Sequence, residues 1–98
     1  MLSNEDILEL ADAVEVLAHA IFEDDFERID KCLRSAVKKV GDIAYRIEKQ
    51  KAPPHGIMTP IEVYGTLKWA IENKNARYGL NALLSLLISA IRHHIPSH

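Results

Sequence analysis

Fourteen consecutive residues, Tyr78 to Ile91, carry no charge and are bounded by Arg77 and Arg92. On a helical wheel Asn81, Ser85 and Ser89 fall on one narrow strip, and Leu80, Leu83, Leu84, Leu86, Leu87, Ile88 and Ile91 cover most of the rest. The apolar arc spans roughly two thirds of the circumference, against a little over about 100° for an ordinary surface helix. Three neighbours with one seam each cover about half of such an arc, so the rest requires either tight wrapping by all three or assembly with a second copy or a larger partner. The pattern does not predict a membrane span. A span needs about 20 predominantly apolar residues, and this run ends at two arginines, with Gly79 and three small polar residues inside it.

Upstream, Ile7, Leu10, Val14, Leu17 and Ile21 step by three and four, which predicts a helix over 4–22 with one packing seam. Ser3 is placed to cap it, with Glu5 and Asp6 in the first turn. Ala11 and Ala18 flank the seam on one side, Ala13 and Ala20 on the other, and small flanks let a neighbouring helix come close. The same seam continued would require apolar residues at Asp24 and Arg28, so the chain turns near 23–25. Phe26, Ile29, Leu33, Ala36, Val40, Ile43 and Ile47 then predict a helix over 25–51, capped by Asp24 or Asp25. Glu27/Lys31, Asp30/Arg34 and Asp42/Arg46 are i,i+4 pairs with the acid first, the better orientation.

Two prolines and a glycine in Ala52-Pro53-Pro54-His55-Gly56 make a loop. Thr59-Pro60-Ile61-Glu62 follows as a start signal, with a capping hydroxyl, proline at the first helical position and glutamate at the third. Tyr64, Leu67 and Ile71, with Val63 and Ala70, form the inner face of a helix over 60–73. That phase extended lands on Lys74, Asn81 and Ser85, which are polar. The helix therefore breaks at 73–75, and Asn75 caps a fourth over 75–95 that Pro96 terminates; one long bent helix is the alternative. No strand pattern, repeat or low-complexity tract interrupts this. The expectation is an all-α fold, an antiparallel four-helix bundle of two helical hairpins in one domain over 1–98, with dimerisation as a way to complete it.

At 98 residues, 48% hydrophobic and 27% charged, the composition is that of one ordinary globular domain. Met1 to Asp6 shows no basic stretch leading into an apolar one, so no signal peptide is expected. The single Cys32 rules out an internal disulfide framework and suits a reducing cytoplasm. Charge is uneven: residues 1–27 hold nine acids and no Lys or Arg, residues 28–51 eight bases and three acids. Either an acidic first helix lies against a basic second one, or one of the two faces meets a charged partner.

Candidate chemistry is sparse. Glu15, His19 and Glu23 share a helix face at a spacing that suits a metal, but the face points away from the seam toward water. Bundle di-metal sites instead use Glu-x-x-His pairs turned inward, a motif this chain lacks. Of His93, His94 and His98, only the last two have chelating spacing, and Pro96 lies between them. Cys32 has no local histidine or glycine-rich turn to activate it. No catalytic residue, metal or cofactor is assigned. Arg34, Lys38, Lys39, Arg46, Lys49 and Lys51 give the second helix a basic edge, enough to contact phosphates, though the edge shows no interleaved aromatics. Trp69 lies opposite Leu67, where a strict bundle leaves it wet unless the 52–58 loop or a neighbouring helix covers it. With the arc residues Leu80, Leu83, Leu87 and Ile91 it forms the candidate partner contact. The expected function is a small helical accessory subunit that binds protein, itself or another; the second is nucleic-acid association through the basic edge.

Overall fold

The computed structural model describes residues 2–50 and 59–94, with side chains except those at 48–50 and 94. Among these residues there are four helices and no strand: α1 (Asn4–Phe22), α2 (Phe26–Gln50), α3 (Pro60–Glu72) and α4 (Ala76–His94). Each packs on its neighbours in the order α1–α2–α3–α4–α1, with only slight contact between α2 and α4 across the diagonal, the arrangement of an antiparallel bundle. The 52–58 loop and the Pro96 stop lie outside the described residues.

The helix starts follow from local hydrogen bonding. Ser3 Oγ accepts from the Asp6 N–H at 3.1 Å while the Asp6 carboxylate accepts from the Ser3 N–H at 3.0 Å, a reciprocal box that satisfies two otherwise unpaired donors. Thr59 and Glu62 form the same box at α3, with Pro60 at its first position. Asp25 accepts from the Arg28 N–H at 3.2 Å and Asn75 from the Tyr78 N–H at 3.2 Å, so both second helices begin on a side-chain cap.

The two hairpin turns share one geometry. Asp24 N–H donates to the Ile21 carbonyl and Asp25 N–H to the Ala20 carbonyl; Lys74 N–H donates to Ile71 and Asn75 N–H to Ala70. This is the Schellman pattern, whose pivot residue adopts left-handed backbone. Here the pivots are Asp24 at φ 54° and Lys74 at φ 51°. Buried pairs Leu17/Leu67, Ala20/Ala70 and Leu33/Leu83 stand at the same offset of 50 positions as the turns. The repetition is therefore one of geometry more than of residue identity, since His19 corresponds to Trp69 and Phe26 to Ala76.

The core is a single cluster built around Leu10, Leu17, Leu33, Val40, Ile43, Val63, Leu67, Leu83 and Leu86. Helical spacing on each element converges on it, as the seams require. Gly79 fixes how closely α4 approaches: a Cβ there would lie 2.7 Å from a Leu33 methyl and 3.4 Å from the Ala70 Cβ. These contacts also show that the start of α4, the start of α2 and the end of α3 meet at one end of the bundle, where both hairpin turns lie.

Candidate functional site

The charge asymmetry of the chain is partly resolved inside the molecule. Arg46 Nη2 donates to Asp6 Oδ1 at 2.8 Å, and Lys39 pairs with Glu9 and approaches Asp6 at 4.0 Å. Asp6 is almost fully buried. Burial pushes its carboxyl up, but the hydrogen bonds from Ser3 and Arg46 outweigh that and hold it below its usual range. Spacing alone pairs Arg46 with Asp42 on its own helix; it turns instead to α1, where a buried carboxylate is the stronger acceptor. Glu27–Lys31 and Asp30–Arg34 form as the spacing predicts.

This divides the basic edge of α2. Lys39 and Arg46 face α1 and are engaged by its acids, so they belong to an internal ion-pair network and not to a free phosphate-binding strip. Lys38 and Arg34 lie on the opposite flank, toward α3, where they line an open groove of about 540 Å³ with Val37, Asp42, Tyr45 and Tyr64. Gly41 also lines the groove and lets Tyr64 pack close on α2: a Cβ there would lie 3.0 Å from the Tyr64 ring. Lys68 stands 5.4 Å from the centre of that ring. The aromatics absent from the linear edge are thus supplied, Tyr64 by the neighbouring helix and Tyr45 by α2 itself at helical spacing from Lys38. The Lys49 side chain lies outside the described residues.

The apolar candidates also divide. Leu83 is fully buried in the core cluster, so it is a core residue and not a partner contact; its position in the middle of the arc points it inward. Leu80 and Leu87 are partly buried against the same core. Ile91 is 39% exposed, and Ile88, beside it on the wheel, 45%. Tyr78 and Gly79 face α3, through the Trp69 ring and Ala70 respectively, so Leu80, Leu84 and Leu87, partly buried, lie on the other flank, while Ile88 stands opposite the buried Gly79, Leu83 and Leu86 and points outward. On α1, Leu8 is 66% accessible, a position off that helix's seam and opposite its buried Leu10 and Leu17. Trp69 is 45% exposed, with the Tyr78 ring 5.0 Å away and tilted across it, so a neighbouring helix covers about half of it.

Phe22 and Phe26 flank the first turn and are both largely exposed, between Glu23, Asp24, Asp25 and Glu27. Glu15, His19 and Glu23 lie exposed along α1, and no group of three or more metal-binding side chains comes together among the described residues. Cys32 is a free thiol, half-buried at the core edge. No helix among the described residues is long and apolar enough to cross a membrane. Compared with protein-family models, curated proteins and solved structures, the chain matches none.

Proposed function

We propose that this protein is a small non-enzymatic helical subunit that works by binding protein, either a second copy or a larger partner. One observation carries the reading: outside its buried core cluster the bundle still exposes large apolar side chains, among them Leu8, Phe22, Phe26, Ile88 and Ile91. Single exposed apolar residues are normal on a monomer, but several together mark an interaction site. Chemical cross-linking of the purified chain at micromolar concentration, and of the chain in native extract, tests it. A chain that remains monomeric in both ends this reading.

The α2–α3 groove favours one second reading, association with nucleic acid. Lys38 and Lys68 supply cationic groups beside Tyr45 and Tyr64, with Arg34 paired to Asp30 at the groove wall, and cations beside aromatics bind single strands through phosphate contact and stacking. It predicts binding that weakens steeply with salt and is abolished by Lys38→Glu with Lys68→Glu; binding indifferent to both rules it out.

A further inference from the structure

We propose that the α2–α3 groove reads the base of a single-stranded nucleic acid, and that Asp42 is the residue that selects guanine. This rests on the nucleic-acid reading above and adds a base preference to it.

The α2 wall of the groove is ordered along its length. Arg34, Lys38, Asp42 and Tyr45 line it at steps of four, four and three residues, so they share one side of the helix, about 6, 6 and 4.5 Å apart along its axis. Across the groove Tyr64 is level with Gly41. Because α3 runs antiparallel to α2, Lys68, one turn after Tyr64, is level with Lys38, and Ile61 is level with Ala44 and Tyr45. One end of the groove is therefore cationic. The other end carries the Tyr45 ring, 61% exposed, and the Asp42 carboxylate stands between them.

A plain polyanion does not suit this sequence of groups. A run of phosphates or an acidic peptide lying along the groove would meet a like charge at Asp42. Nor is Asp42 used by the fold. On the same helix Glu27 pairs with Lys31 and Asp30 with Arg34, whereas no cation pairs with Asp42 among the described residues, because Arg46 turns to Asp6. An ionised carboxylate only accepts hydrogen bonds. The ligand that matches all three parts has a phosphate for Lys38 and Lys68, a flat face for Tyr45 and hydrogen-bond donors for Asp42. A nucleotide has all three.

The donors identify the base. Guanine presents N1–H and its N2 amino group side by side on the Watson–Crick edge, matching the two oxygens of one carboxylate. Adenine and cytosine offer a single amino group there, and thymine and uracil an N–H between two carbonyl oxygens that a carboxylate repels. That edge is open only in a single strand, where bases are splayed onto aromatic side chains. Tyr64 lies against Gly41 with Lys68 5.4 Å from its ring centre, so it forms the wall and stacking falls to Tyr45.

Fluorescence anisotropy of the intact chain at low salt tests the proposal, with labelled thymidine oligonucleotides carrying central guanines, central inosines or neither. The guanine strand is expected to bind at least about fivefold tighter than the all-thymidine strand. The inosine strand, which lacks the N2 amino group, falls between them. Asp42→Ala brings the three strands to one affinity, while Glu27→Ala, which removes an exposed acid outside the groove, keeps their order. Tyr45→Ala weakens all three. Equal binding of the three strands by wild type overturns the selection of guanine, as does a preference that survives Asp42→Ala; either leaves the nucleic-acid reading standing. Displacement of the guanine strand by polyglutamate as readily as by the strand itself overturns the proposal in favour of an acidic peptide. Binding of no strand removes both the proposal and the reading it rests on.

Discussion

Arg46 Nη2 and Asp6 Oδ1 are 2.8 Å apart across forty positions of sequence, and the pair ties the last third of α2 to the first turn of α1. The Asp6 carboxylate also closes the α1 capping box, so one nearly buried group serves local and tertiary structure at once. Replacing it by Asn keeps the shape and removes the charge. Asp6→Asn is expected to destabilise the fold by about 2 kcal/mol at neutral pH, the scale of a buried hydrogen bond to a charged group.

The pH dependence of that loss has a definite sign. The folded-state carboxyl of Asp6 lies below its unfolded value. Its contribution is therefore complete above about pH 4, the unfolded range, and is lost as pH falls through the lower folded value. Urea titrations at stepped pH should show wild type and Asp6→Asn converging toward acid and separated at neutral pH. Curves that stay parallel down to the acid limit would remove Asp6 from the acid-sensitive set.

Lys74 holds the left-handed pivot of the second hairpin with a long side chain and no glycine. Left-handed backbone costs an ordinary residue about 1 kcal/mol, and glycine escapes that cost. Lys74→Gly is accordingly expected to raise stability by up to about 1 kcal/mol, partly offset by the entropy glycine adds to the unfolded chain. Asp24→Gly should gain less, because aspartate tolerates this region better. Thermal melts of the two variants check the order.

Element positions were legible in the sequence because the signals were local. Ser3, Thr59 and Asn75 are short-range caps, and the turns at Asp24 and Lys74 follow from seams that fail within a few residues. Choices made between helices were not legible. Arg46 has acids at both Asp42 and Asp6, and only the rotation of α1 against α2 decides between them. Leu83 and Ile91 belong to one apolar arc, yet one is buried and the other on the flank, because the arc is wider than the bundle can cover. Leu8 is silent in the sequence for a related reason: a lone apolar residue off a seam has no period to announce it. Tyr45 beside Lys38 could have been found from its spacing alone, and Tyr64 could not.

Two helical glycines should respond to substitution in opposite directions. A Cβ on Gly65 would meet nothing within 4 Å, so Gly65→Ala adds helix propensity without a clash and should stabilise by about 1 kcal/mol. Gly79 is where α4 closes on Leu33, Leu67 and Ala70, and a β-branched side chain there must displace core atoms. Gly79→Val should destabilise by about 2 kcal/mol, the usual scale of overpacking. Denaturant midpoints of the two variants lying on the same side of wild type would contradict this account of the α4 approach.

Lys38 and Lys39 are neighbours in sequence with different surroundings, and charge reversal separates their roles. Lys39 lies against Glu9 and Asp6, so Lys39→Glu sets three carboxylates together, one of them nearly buried, and should destabilise by about 1–2 kcal/mol. Lys38 is exposed on the groove side, away from those acids, and Lys38→Glu should leave stability within about 0.5 kcal/mol. Adding salt should narrow the Lys39→Glu deficit by screening the repulsion that causes it, while the Lys38→Glu curve stays on wild type. Equal destabilisation by the two would mean that the basic edge acts as one strip, and that the division between an internal ion-pair network and a free groove wall is mistaken.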